Sequence, residues 1–328
     1  MPGDEVPLEK RVGRTSLKRP RGRVILPTEW IGSYVIVAPK NGYVAIPKEE
    51  YSHLKERNRN LSLVKIVCEK ILNNESNGKK MFNIVTKTWN PVTGCLHYCS
   101  YCWARQLATT KLKNSHRYKE GFKPSLNKKE FRTKFKEGDI VFVSDMGDLF
   151  GDFIPQEWIL KVLEYIEHFP KAIFLFLTKN PQRYEKFIDV MPRNGILGAT
   201  IETNRDRIFL EHTISRAALP SIRYDAMKNL KWDKKFISIE PILDFDLEVF
   251  CKWIEDISPF MVYVGYDNYD HQLPEPSLHK TLMLLERISE MTLVVRKTIR
   301  PPWFGQFEGS LVEYGRKDKR SEILIPDT

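Results

Sequence analysis

Nothing in this chain of 328 residues approaches the ~20 consecutive apolar residues that a membrane-crossing helix needs. The N-terminus is charged and lacks the apolar run of an export signal. Together these absences predict a cytoplasmic protein with no membrane partner. Cysteine is scarce as well, with five in all. Three of them, Cys95, Cys99 and Cys102, fall within eight residues, and an odd set on one loop cannot pair off as disulfides. Clustered free thiols fit a reducing compartment. Cys68 lies in an apolar stripe and reads as core.

Acidic residues are short only at the front of the chain. Residues 1–80 hold 16 Lys and Arg against 9 Asp and Glu, and residues 81–140 hold 12 against 4. The remainder holds 24 against 29, so a net +10 is concentrated in the first 140 positions. Such a front suits a polyanionic partner, DNA or RNA, although a solvated lysine-rich surface gives the same count.

Chemistry is densest in the run Trp89-Asn-Pro-Val-Thr-Gly-Cys95-Leu-His-Tyr-Cys99-Ser-Tyr-Cys102. Asn90-Pro91 and Gly94 mark an irregular turn, and Trp103 to Leu112 reads as a helix. Three thiols this close can address one metal centre. Zinc would require a fourth ligand, and His97 alternates too tightly with Cys95 and Cys99 to supply it comfortably. An iron–sulfur cube, with one iron left open, suits three thiolates better.

Beyond residue 80 a strand-then-helix repeat begins. Strands are expected at Phe82–Val85, Ile140–Val143, Ala172–Leu177, Ile196–Ile201, Phe236–Ile239 and Met261–Val264. Helices are expected at Cys102–Leu112, Gln156–His168, Gln182–Val190, Arg205–Leu230 with a break near Pro220, Leu247–Ile254 and Ser277–Met291. Alternation of this kind argues for an α/β fold with a parallel sheet. A closed eight-stranded barrel would need two more units, so an open six-stranded partial barrel is the better count. The domains expected are residues 1–78, 79–300 and a C-terminal tail at 301–328. The first comprises a basic arm at 1–23, short strands around Arg23–Pro27, Tyr34–Val37 and Tyr43–Ile46, and a helix at 47–72.

Barrel active sites sit where strands end. Read there, the chain gives Ser144, Asp145 and Asp148 after the second strand, and Thr178 and Lys179 after the third. Glu202, Thr203 and Asn204 follow the fourth, Glu240 the fifth, and Tyr266, Asp267 and Asn268 the sixth. Asp145, Asn204 and Asp267 also stand where helix caps would.

The spacing Cys95-x3-Cys99-x2-Cys102, with Tyr101 just before the last cysteine, resembles the signature loop of the radical S-adenosylmethionine (radical SAM) superfamily. Trp89 to Cys95, Gly121-Phe-Lys-Pro, Val141 to Phe150, Leu177-Thr-Lys-Asn-Pro181 and Ser238-Ile-Glu-Pro241 resemble a narrower group, a phage-associated three-cysteine family of unassigned function. The resemblance runs from Met81 to Glu290. It implies a partial (βα)6 TIM-type barrel, a 4Fe-4S cluster on Cys95, Cys99 and Cys102, and S-adenosyl-L-methionine on its open iron. It further implies Ser144 and Asp145 at the cofactor's amino group, where Ser-Asp-Met-Gly stands in place of the usual Gly-Gly-Glu. Glu202 or Asn204 would hold the ribose, Tyr101 the adenine and Lys179 the carboxylate, with Glu240 completing the set. An electron donor such as flavodoxin or ferredoxin is then expected. Arg21 to Gly32 weakly resembles AbrB-type DNA-binding modules.

The stretch Lys111–Lys136 is long and basic, and interleaves its cations with Tyr118, Phe122, Phe131 and Phe135. That pattern suits a single-stranded or flipped nucleotide, or else an excursion that packs its aromatics inward. Two functions compete: a radical enzyme acting on nucleic acid or a nucleotide, in repair or modification, and an iron–sulfur DNA-binding regulator that does not turn over the cofactor.

Overall fold

The computed structural model describes residues 81–82, 84–307 and 310–313, together with four short N-terminal strands. Those four form two antiparallel pairs: β1 (Ser16–Arg19) with β2 (Gly22–Ile25), and β3 (Val35–Ile36) with β4 (Val44–Ala45). The arm expected at 1–23 therefore contributes β1 to a hairpin. The expected helix at 47–72, Cys68 and the linker after it lie outside the described residues.

One seven-stranded sheet organises the rest. Its strands are β5 (Lys87–Trp89), β8 (Ile140–Val143), β9 (Ile173–Thr178), β10 (Gly195–Thr200), β11 (Lys235–Ile239), β12 (Met261–Val264) and β13 (Leu293–Arg296). They lie side by side in chain order and every pairing is parallel. A parallel strand covered on both faces reads as a continuous apolar run, and Ile173-Phe-Leu-Phe-Leu177 is the clearest case. Between the strands lie α1 (Trp103–Thr109), α2 (Gln156–Glu167), α3 (Asp206–Glu211), α4 (Pro220–Asn229), α5 (Leu247–Ile257) and α6 (Leu278–Ser289). A separate antiparallel pair joins β6 (Val92–Thr93) to β7 (Ser125–Leu126), and β14 (Phe304–Phe307) pairs with β15 (Ser310–Glu313) in the tail. No helix among the described residues is long and apolar enough to cross a membrane.

Two strand expectations need correction. The first strand is Lys87–Trp89, not Phe82–Val85, and a seventh, Leu293–Arg296, extends the count beyond six. The apolar run at Phe82 has a different task. Its ring centroid lies 5.1 Å from that of Phe142 on β8, 5.7 Å from Phe236 on β11 and 4.5 Å from Tyr263 on β12. Four inter-strand steps separate β8 from β12, about 19 Å in a flat sheet. One ring can touch both only because the sheet curls around it. Phe82 is fully buried and fills the interior of that curl.

Alternation along each strand sets which residues share the interior with Phe82. Tyr263 is in register with Ser238 on one side and Val295 on the other, and Ser238 with Thr200. The next residues on the same face, two positions on, are Glu202, Glu240 and Lys297, at the carboxyl ends of their strands.

Replacing Phe82 by Ala should cost about 3–5 kcal/mol, as for other large buried aromatics. Urea unfolding of the full chain measures it. A cost below about 1 kcal/mol would show that the interior does not depend on that ring.

Candidate functional site

The three-cysteine loop is clamped at its entrance. Gly94 has φ +86°, and a Cβ there would lie 2.1 Å from the carbonyl oxygen of Lys123, so only glycine fits. Gly94 N–H donates to Met146 O at 2.9 Å, and Cys95 N–H donates to Phe122 O at 3.0 Å. Cys95, Cys99 and Cys102 are free thiols, each partly buried. Every sulfur has a polar neighbour: His97 N–H donates to Cys95 Sγ at 3.4 Å and Arg105 N–H to Cys102 Sγ at 3.3 Å. Cys99 Sγ lies 3.2 Å from Ser215 Oγ. Burial pushes the Cys95 and Cys99 thiols above their usual range. Among the described residues, no group of three or more His, Cys, Asp or Glu side chains is gathered to hold a single metal ion.

His97 faces the sheet rather than the thiols. Its Nε2 is 2.9 Å from Asp148 Oδ2. Asp148, itself buried, also accepts from Thr178 Oγ1 (2.7 Å), Lys179 N (2.9 Å) and Phe150 N (3.1 Å). Burial alone would raise its carboxyl, but His97 and these donors hold it below the ordinary carboxylate range. One carboxylate thus joins the loop to the residues that follow β8 and to the end of β9.

Three sequence-predicted residues meet on this rim. Tyr101 hydroxyl donates to Glu202 Oε1, and Lys179 Nζ is 2.6 Å from Tyr101 Oη and 2.5 Å from Glu202 Oε1. Behind them stands Arg223 of α4, fully buried, with Nη1 2.8 Å from Glu202 Oε2 and donating to Thr200 O at 2.5 Å. The Glu202–Arg223 contact is close but poorly aligned for hydrogen bonding, and Arg223 Nε and Nη2 have no hydrogen-bond partner. Burial raises the Glu202 carboxyl, yet Arg223 and Lys179 outweigh it and hold it at about 2. The same burial, reinforced by the Glu202 charge, pushes Tyr101 well above its usual value and keeps it a donor.

The remaining predicted residues diverge. Ser144 sits at φ +59° just past β8, and its buried Oγ has no hydrogen-bond partner. Asp145 accepts from Asn90 Nδ2 at 2.5 Å, and Asn90 Oδ1 accepts from Met146 N at 3.0 Å, which ties β5 to the turn after β8. Burial raises the Asp145 carboxyl. Asn204 caps no helix; its Oδ1 accepts from Asp246 N at 2.8 Å, away from the thiols. Glu240 pairs with Lys297 at 2.7 Å and accepts from Ser238 Oγ at 3.1 Å. Asp267 does not cap a helix either. It accepts from the backbone N–H groups of Tyr269 and His271.

Sequence reasoning assigned no role to Arg223, Ser215 or Lys297. Only Arg223 left a trace, as a charged residue on the face of α4 that Pro220 and Met227 bury.

In the basic stretch the aromatics turn inward. Tyr118 and Phe122 pack with Ala104, Ala108 and Met146. Phe131 and Phe135 lie 5.9 and 5.4 Å from Trp89, whose Nε1 donates to Glu130 O at 3.0 Å. They cover the edge strand β5, which explains the excursion and removes these rings as platforms for bases. Lys111, Lys119, Lys123, Lys128, Lys129 and Lys134 remain exposed. On the cysteine loop itself Tyr98 is exposed, 46% at φ +51°, with the guanidinium carbons of Arg105 and Arg216 4.2 and 4.4 Å from its ring centre.

Glu202 makes a pH prediction. Its folded value of about 2 lies below an unfolded value near 4.3. The stabilisation is therefore complete above about pH 4.5 and lost as pH falls toward 2, roughly 3 kcal/mol in all. Urea unfolding at several pH values should show this acid slope in the wild type and a shallower one in Glu202→Gln. Equal slopes would contradict the ionised, clamped carboxylate.

A family profile described as "Protein of unknown function (DUF5131)" matches residues 80–256. No curated protein matches. Among solved structures, spore photoproduct lyase complexed with dinucleoside spore photoproduct matches at 12% identity and a TM-score of 0.41, covering 63% of this chain and 62% of that one. A mutant of that lyase with bound AdoMet and the same dinucleoside matches at 13% identity and a TM-score of 0.41, over 63% and 61% of the two chains. This chain thus spans less than two thirds of those enzymes' length. The profile, by contrast, covers more than half of this chain, and on that match the protein belongs to the DUF5131 family.

Proposed function

We propose that this protein is a radical SAM enzyme whose substrate is a nucleic acid or a nucleotide. The observation that carries the reading is the placement of three free thiols on one clamped loop, beside the buried Tyr101–Lys179–Glu202 network. A cube takes each cysteine on a different iron, so its thiolates stand further apart than the ligands of one ion. That fits a loop whose sulfurs are separately held by His97 N, Ser215 Oγ and Arg105 N. It suits zinc less, because among the described residues no set of three or more His, Cys, Asp or Glu side chains is gathered around one ion position. Cys95, Cys99 and Cys102 would hold the 4Fe-4S cluster. When bound, the cluster supplies the electron that cleaves S-adenosylmethionine reductively to a 5′-deoxyadenosyl radical.

The chain's own residues prepare the site for that ligand. Ser144 Oγ, buried and unpartnered, is available to a polar group of the ligand and gains a hydrogen bond it otherwise lacks. Lys179 offers its ammonium to a carboxylate. Glu202, kept anionic by Arg223, accepts from hydroxyl or ammonium groups. Tyr101 presents its ring between the loop and that carboxylate. Asp148, through His97, holds the loop against the sheet. Asp145 and Asn204 are occupied elsewhere and serve as braces. For nucleic acid, the support is the basic front together with Tyr98 between Arg105 and Arg216, an exposed ring flanked by guanidinium groups on the cysteine loop itself.

Anaerobic reconstitution tests the reading. The wild type should take up about four iron and four sulfide and release methionine and 5′-deoxyadenosine from S-adenosylmethionine under reducing conditions. Replacing Cys95, Cys99 or Cys102 by Ala should abolish both, whereas Cys251→Ala, buried on α5, should keep them. Glu202→Ala should weaken S-adenosylmethionine binding by roughly 1.5–3 kcal/mol without loss of iron. Iron uptake and DNA binding without cleavage would favour the regulator.

Oligonucleotide affinity should fall with salt at a log–log slope of about −0.7 per phosphate neutralised on a single strand. Arg216→Ala should lower that slope by about one contact, and Tyr98→Ala should weaken single-stranded more than duplex binding. Fluorescence anisotropy at several salt concentrations measures both. No binding to DNA or RNA at low salt would remove nucleic-acid polymers as substrates.

A further inference from the structure

The curl places a second charged pair on the interior face, apart from the Lys179–Glu202 pair. Glu240 Oε1 lies 2.7 Å from Lys297 Nζ, although their strands, β11 and β13, are separated by β12. The intervening position on β12's side is Gly265. A Cβ there would come within 3.2 Å of both Glu240 Oε1 and Lys297 Cβ and within 3.3 Å of Thr298 N. Absence of a side chain at Gly265 is what lets Lys297 reach across.

This pair has an apolar floor. Lys297 Nζ sits 5.4 Å from the Phe82 ring centroid, and the Phe82 ring packs on Tyr263 at 4.5 Å. The charged ends are reachable from the rim, with side-chain exposures of 12% for Glu240 and 26% for Lys297. An enclosed ion pair is weak evidence for stability, since apolar residues of similar volume pack as well or better. A carboxylate and an ammonium side by side above aromatic rings instead form an acceptor–donor edge. Its complement is a flat group with an N–H beside a C=O. A ring N–H flanked by carbonyl is the most acidic donor that a nucleobase offers to a carboxylate, and a carbonyl oxygen is the stronger acceptor for an ammonium.

We propose that Glu240 and Lys297, given their proximity by Gly265, form a recognition subsite for the lactam edge of a nucleobase, with Glu240 accepting the ring N–H and Lys297 donating to the adjacent carbonyl. It rests on the reading of the substrate as a nucleic acid or nucleotide. Ser238, which donates to Glu240 Oε2 at 3.1 Å, is a positioning residue; Oε1, which already faces Lys297 Nζ, accepts the ligand's N–H with its second lone pair.

The test titrates the full-length, anaerobically reconstituted protein with uridine, inosine, cytidine and 3-methyluridine, by saturation-transfer NMR and calorimetry. S-adenosylmethionine is titrated separately. Uridine and inosine should bind roughly tenfold or more tightly than cytidine and 3-methyluridine. Glu240→Gln and Lys297→Met should each erase that preference, while the S-adenosylmethionine affinity of Lys297→Met stays within a few-fold. Should Glu240→Gln fail to fold, Lys297→Arg and Gly265→Ala keep the test open: the first should retain the preference, and the second should lose it by wedging the pair apart. Equal binding of all four nucleosides, or variants that discriminate like the wild type, would overturn the subsite. If S-adenosylmethionine still bound in that case, the enzyme reading would stand without it. A lactam preference in a protein that bound no S-adenosylmethionine would support the subsite and overturn the enzyme reading.

Discussion

Everything on the rim depends on the sheet being curled rather than flat. In a flat sheet, residues at the ends of β9 and β13 would lie about 19 Å apart and share no enclosed space. Wrapping the strands around Phe82 turns one face into an interior, and successive strand ends then deliver their polar residues into it. The burial that closes this interior also makes charge expensive there. Glu202 is tolerated because Lys179 and Arg223 stand against it, and Glu240 because Lys297 does.

Asp148 joins the loop to the sheet through directed hydrogen bonds. Both its oxygens are engaged: Oδ2 by His97 and Lys179 N, Oδ1 by Thr178 and Phe150 N. Acceptance of several N–H and O–H donors is what keeps so buried a carboxylate ionised. Cys95 and Cys99 flank His97 in sequence, so the imidazole fixes the stretch between two of the three thiols.

Much of this was legible in the sequence, for reasons that differ from residue to residue. Strands such as Ile173–Thr178 announce themselves as apolar runs, and Pro220 marks the break between α3 and α4. The cysteine spacing puts three thiols on one loop without any knowledge of the fold. Lys179 and Glu202 followed from counting one or two positions past each strand, because alternation carries side chains to a predictable face, whereas Tyr101 came from its place before the last cysteine in the resemblance to the radical SAM loop. Phe82–Val85 misled because an apolar run says that residues are buried, not that they pair in a ladder. Leu293–Arg296 was missed because three apolar residues before a charged tail carry no periodicity. The aromatics of Lys111–Lys136 read equally well as stacking platforms or as cover for an edge strand, and only the position of Trp89 decides between them. Lys297 was invisible, and Arg223 showed only as a charge on a buried helix face, because each acts across a distance in sequence that no local pattern spans.

One short segment touches both halves of the site. Ile214 O accepts from Ser100 N, Ser215 Oγ donates to His97 O, and Arg216 N donates to His97 O, all on the cysteine loop. A few residues on, Arg223 grips Glu202 from behind. The stretch from Ile214 to Arg223 therefore serves as a ruler whose length sets the offset between thiols and carboxylate. Within it, amino-acid type is freer than residue number: lengthening or shortening it by one residue would force either the loop or the carboxylate out of place, however conservative the change in composition.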